Sequence, residues 1–97
     1  MSAARFRVVV LAGHKGNAIE VPFDPGTKWP IKTQAIRAGR RGYAVHAQIA
    51  GMPFDGFVVA RSKKFWLLLP VEVAMQAQIS VGSEVGVTLC AAAPANR

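Results

Sequence analysis

The residues with most chemistry to offer in this sequence are cations placed beside aromatic rings. Arg37, Arg40 and Arg41 form one basic cluster, and Arg61, Lys63 and Lys64 form a second that runs straight into Phe65 and Trp66. Small barrels hold single-stranded nucleic acid with this combination: cations attract the phosphates while bases stack on neighbouring rings. The reading the sequence favours over this is plainer: the loops are charged for solubility and Trp66 fills the core. Phe65 and Trp66 are adjacent, and adjacent side chains of a strand face opposite ways, so one of the two is expected to point outward. A second set is apolar. Trp29 lies in a Pro/Gly-rich loop, and together with Tyr43, Phe57 and Trp66 it either plugs and lines the core or forms a ligand site. Such a site would sit at a barrel mouth or on an apolar strand face.

Catalytic chemistry is poorly supplied. Cys90 is the single cysteine, so an internal disulfide and a C-x-x-C pair are both impossible, and a thiol in a terminal strand reads as inert. His14 falls in a turn and His46 on the outer side of a strand, with no carboxylate beside either in the local pattern. Glu20, Asp24, Asp55, Glu72 and Glu84 are scattered, offering no short-range acid/base pair. The expectation is a protein with no catalytic residues, metal or cofactor. Gly13-His14-Lys15-Gly16 and Gly39-Arg40-Arg41-Gly42 match the GxxG phosphate clamp in letters only. That clamp needs helices on both sides, whereas these segments border strands.

Twelve basic residues against five acidic ones give a formal charge of +7. The excess favours anionic partners as a bulk property and bears on encounter rather than on fold. Hydrophobic residues make up 52% of the chain and charged ones 18%, a composition that supports a packed core. No apolar run approaches the ~18 residues of a membrane-spanning helix, and the N-terminus lacks an export-type apolar region with a cleavage site. With the lone cysteine, these features point to the cytoplasm and away from membranes. Expected partners are a small molecule or a protein, with nucleic acid as the alternative, for a monomer or homodimer.

Most of the elements that must position these residues are short strands. Arg5 to Ala12 is β-branched and becomes apolar on both faces after Arg7. Gly13 and Gly16 bracket a turn into a second strand, Ala18 to Val21, stopped by Pro22. From Asp24 to Gly42 turn signals dominate, Pro30 excludes a helix across the middle, and Lys32 to Arg37 is open between a helical turn and an irregular strand. Tyr43, Val45, Ala47 and Ile49 alternate with His46 and Gln48, the period of a half-buried strand. Phe54 to Ala60 is its hairpin partner, and Phe65 to Leu69 follows the basic turn. Pro70 suits the start of a short helix whose inward positions are Val71, Met75 and Ile79. A last strand places Val85, Val87 and Leu89 inward. The spacing predicts one domain over 1–97, with an ordered core of about 5–90 and a loose tail over 91–97. Its fold class is mostly β: a small closed or partly open antiparallel β-barrel of about six strands with one short α-helix.

The order of Phe6, Ile19-x-Val21-Pro22, Val45-x-Ala47-x-Ile49-x-Gly51, the Trp66 to Pro70 segment and Val81-Gly82-Ser83-Glu84-Val85-x-Val87-x-Leu89 resembles a known family. It is similar to the domain-of-unknown-function family 1905, small bacterial β-barrels often attached to a YdeI/OmpD-associated segment. The resemblance spans Phe6 to Leu89 and implies a fold, with no reaction, cofactor or ligand. Three departures stand out. Gly82-Ser83 replaces the family's usual Gly-Asp, Glu72 stands where the helix is commonly basic, and Phe57-Val58-Val59 replaces a Thr/Ser-rich strand.

Overall fold

The computed structural model describes residues 3–13, 16–29, 31–37 and 39–92. His14, Lys15, Pro30 and positions 93–97 of the expected tail lie outside the described residues, and of Arg37 only the backbone is described. The chain forms β1 (Ala4–Val9), β2 (Leu11–Gly13), β3 (Gly16–Val21), α1 (Pro25–Lys28), β4 (Gln34–Arg37), β5 (Arg40–Ile49), β6 (Met52–Arg61), β7 (Lys64–Leu68), α2 (Val71–Gln76) and β8 (Glu84–Ala91).

Every ladder is antiparallel, and the strand order is β1-β8-β5-β6-β7-β3-β2, with β4 pairing β5 off that path. β1 and β2 are one strand bent at Val10. Its first half pairs with β8 and its second half with β3, which brings the two ends of the sheet together. Counted this way the domain is a nearly closed barrel of six strands, with one unsealed seam. The bend is pinned by two backbone bonds: the Val10 N–H donates to Ser83 O at 2.9 Å, and the Gly82 N–H donates to Val10 O at 2.8 Å.

Two sharp hairpins set the registers that matter for the rest of the molecule. Ala50 and Gly51 (φ 50° and 85°) join β5 to β6, and Ser62 and Lys63 (φ 53° and 64°) join β6 to β7. Two-residue turns with both central residues at positive φ match the right-handed twist of the flanking strands. Ile49 therefore faces Met52, and Arg61 faces Lys64.

The core follows from alternation. Val45, Ala47 and Ile49 of β5, Val58 of β6, Leu67 of β7, Ile19 and Val21 of β3, and Val85, Val87, Leu89 and Ala91 of β8 are buried in one cluster. Trp29 joins it at 2% exposure, with Phe23 edge-on at 5.4 Å and Phe6 edge-on to Phe23 at 6.0 Å. The loop carrying Trp29 is anchored by α1, which starts when Asp24 Oδ1 accepts from the Gly26 N–H at 2.8 Å. Proline at the first helical position suits this single turn.

Several expectations from the sequence are corrected. β1–β2 is not buried on both faces: Val9 and Leu11 are 46% and 42% exposed while Val10 is fully buried, because the bent strand keeps its two-residue period. Arg40 and Arg41 belong to β5, not to a turn, and the segment left open at Lys32 to Arg37 contains β4, whose pairing with β5 is interrupted by a bulge between Ala35 and Arg37. Ala91 is a buried strand residue rather than tail. Among the described residues there are two short helices instead of one. In α2 the buried side is Ala74, with Val73 and Ala77 half-buried, whereas Val71 and Met75 are 66% and 73% exposed. The helix also ends early. Gln78 takes a left-handed conformation (φ 56°), its N–H donates to Met75 O, and the Ile79 N–H donates to Ala74 O. This is the Schellman closure, so Ile79 reaches the core from the turn and not from the helix face.

Candidate functional site

The two apolar candidates nearest the α1 loop are turned inward. Trp29 is part of the packed core, and Tyr43 is half-buried against it, with its ring 6.5 Å from that of Phe65. The Tyr43 hydroxyl lies so near the Gly26 backbone that a Cβ there would sit 2.7 Å from it. These side chains fill space in the barrel.

Phe57 and Trp66 are turned the other way. On β6 the inward positions are those paired with Tyr43, Val45, Ala47 and Ile49, which leaves Phe57 and Val59 on the outer face. Val59 pairs with Trp66, and Val58 with Leu67, so Trp66 and Leu68 of β7 share that outer face. None of these four side chains belongs to the core cluster. Of the adjacent pair Phe65 and Trp66, the phenylalanine packs on the core and the tryptophan faces out. The Trp66 indole is held in place by its Nε1–H, which donates to Arg61 O at 3.3 Å across the hairpin.

The outer face is continued by β4. A Cβ on Gly42 would meet Ile36 Cδ1 at 2.9 Å and Val59 Cγ1 at 3.2 Å. The missing side chain at Gly42 thus lets Ile36 fold over β5 and cover Val59, which is 6% exposed despite lying outside the barrel. An apolar strip of Ile36, Phe57, Val59, Trp66 and Leu68 results, of which the sequence groups only Phe57 and Trp66.

The basic residues divide around this strip. Arg61, Lys63 and Lys64 are exposed at the β6–β7 turn, beside Trp66. Lys64 lies 3.8 Å from Glu20, which stands directly opposite Trp66 on β3. Arg40 is half-buried near the start of β5. Arg41 is engaged elsewhere, donating from Nη2 to Thr33 O at 2.8 Å and from Nε to Thr33 Oγ1 at 3.2 Å. The second cluster therefore adjoins the aromatic strip, while the first is split.

Holding Ser62 and Lys63 at positive φ costs roughly 1 kcal/mol each, since neither is glycine or asparagine. The strain sits at the tip of the most basic turn. The double change Ser62→Asn, Lys63→Gly is expected to raise stability by about 1 kcal/mol or more. Thermal melting checks this; an unchanged or lowered midpoint would show that the turn is not strained.

His46 does have a carboxylate partner, contrary to the expectation from local spacing. The Ala50-Gly51 turn places Asp55 opposite it, with Nδ1 and Oδ1 2.6 Å apart, and Cys90 stands opposite His46 on the other side. The imidazole and carboxylate are 57% and 85% exposed. Water screens such a pair to about 0–1 kcal/mol and leaves nothing desolvated for acid/base work. Cys90 directs its thiol to Ala91 O at 3.7 Å. Among the described residues no group of three His, Cys, Asp or Glu side chains could hold a metal ion. No helix among them is long and apolar enough to cross a membrane. A shallow depression of about 310 Å³ lies across β1 and β8, lined by Arg5, Phe6, Arg7, Gly86, Val87 and Thr88. It includes none of the binding-site residues expected from the sequence.

No curated protein matches the chain. The family model described as "Domain of unknown function (DUF1905)" matches residues 6–89, the same Phe6 to Leu89 span that carries the sequence resemblance. With that match over most of a barrel of the expected kind, the chain belongs to the DUF1905 family.

Proposed function

We propose that this chain is a non-catalytic binding module of the bacterial cytoplasm that holds single-stranded nucleic acid on the outer face of β6 and β7. The reading is supported above all by one juxtaposition: Trp66 stands outside the barrel beside the turn where Arg61, Lys63 and Lys64 are exposed, and Phe57 continues the same outer face away from that turn. Half-exposed rings offer sequence-tolerant stacking surfaces, and the adjoining cations supply phosphate attraction. A small-molecule site at the barrel mouth is favoured less, because Trp29 and Tyr43 are used for packing.

The test is fluorescence anisotropy with labelled single- and double-stranded oligonucleotides over a salt series. Single strands are expected to bind at low salt and to be released as salt rises, with log K falling by about 0.7 per phosphate contacted for each tenfold rise in salt. Absence of binding at low salt would overturn the proposal. In that event a dimer in sedimentation equilibrium, broken by Phe57→Asp, would assign the strip to contact between two copies.

A further inference from the structure

We infer that the face does more than stack: Glu20 and Lys64 select guanine as the base seated on Trp66. This rests on the proposed nucleic-acid binding. Glu20 is the direct cross-strand partner of Trp66, and Lys64 precedes Trp66 by two residues on the same side of β7. The two charges therefore flank the indole, one lateral to it and one toward the turn. They are 3.8 Å apart, with side chains 36% and 56% exposed, so both remain accessible to a ligand. The indole N–H is already given to Arg61 O, which leaves hydrogen bonding at this spot to the flanking pair.

The pair presents an acceptor beside a donor. Along its pairing edge guanine offers the complement: the O6 acceptor next to the N1–H and N2–H donors. A carboxylate can accept both N–H groups at once while the ammonium donates to O6. Thymine and uracil place carbonyls on either side of their single N–H, so the carboxylate meets an acceptor whichever way they sit. Cytosine offers one amino group beside a ring nitrogen that repels the carboxylate. A neutral glutamine at position 20 would lose the charge-assisted part of this match.

The experiment compares labelled strands of about 12 nucleotides, within the span of a small-barrel site: all thymine, thymine with guanine at every third position, and the latter with inosine replacing guanine. Lithium salts keep the guanine strands unfolded. Wild-type protein is expected to bind the guanine strand at least roughly fivefold more tightly than the thymine strand, with inosine between them. Glu20→Gln, which keeps one carbonyl acceptor but loses the charge, is expected to reduce the preference to about twofold or less, while Glu20→Ala, which keeps no acceptor, is expected to abolish it. Lys64→Ala should weaken all three strands and narrow the preference. Circular dichroism melts confirm that all three variants fold. Equal binding of thymine and guanine strands by the wild type, or a preference that is undiminished in Glu20→Gln or survives Glu20→Ala, would overturn guanine selection while leaving the proposed function intact. If no strand binds, the proposed function itself fails and the selection falls with it.

Discussion

Trp29→Ala is expected to destabilise the domain by about 3–5 kcal/mol, the range for deleting a buried large aromatic side chain. Small domains are stable by only ~5–15 kcal/mol, so the loss is a large part of the total. Trp29 is 2% exposed and sits at the end of an aromatic stack in which Phe23 is edge-on to both Trp29 and Phe6. Lys28 lies over the Phe23 ring at 5.5 Å, so the cation closes the outer side of the stack. Removing the indole takes away the partner of Phe23 and the filling of the core beneath the α1 loop. The backbone around it is equally committed, with the Trp29 N–H donating to Pro25 O and the Ile31 N–H to Trp29 O. A fall of roughly 12 °C or more in the melting midpoint follows from about 4–8 °C per kcal/mol at this chain length. Trp29→Phe retains ring packing and should lose less than half as much. A midpoint within a few degrees of wild type for Trp29→Ala would show that Trp29 is no plug, and would reopen the barrel mouth as a ligand site.

The plug was one of two outcomes visible in the sequence, and the difference between them lies outside any local pattern. An indole in a Pro/Gly-rich loop has no period to read; only the fold decides what it lands on. Strands that are polar on one side were legible, as in Tyr43 to Ile49, where the partner residues His46 and Gln48 mark the outer face. The apolar strip was not. Phe57-Val58-Val59 and Trp66-Leu67-Leu68-Leu69 are continuous apolar runs, so alternation carries no signal about which side is out. The ladder registers supply it, because Val58 and Leu67 are tied to the core and their neighbours must then point away. The pairing of His46 with Asp55 was hidden for the same reason, depending on a two-residue turn whose length the sequence leaves open. Asp24-Pro25-Gly26 reads as a turn signal, and the single helical turn that Asp24 caps is scarcely a different object.

The strip and its basic rim make distinguishable contributions to binding, and this gives the second large effect. Trp66→Ala is expected to weaken binding of a single strand roughly tenfold, since one stacked base is worth about 1–3 kcal/mol. The loss should be nearly the same at every salt concentration, because no phosphate contact is removed. Trp66→Phe should recover most of it. Arg61→Ala is expected to act differently: affinity falls at low salt, and the slope of log K against log salt becomes shallower by about 0.7. Trp66 donates to the Arg61 carbonyl, a backbone group that the alanine change leaves in place, so the ring keeps its anchor in that variant. The two effects are then separable although the residues belong to one hairpin. Anisotropy titrations of both variants at three or four salt concentrations check this. If Trp66→Ala flattened the salt slope, or bound as well as wild type, the ring would not be a stacking platform and the cations alone would account for any attraction to nucleic acid.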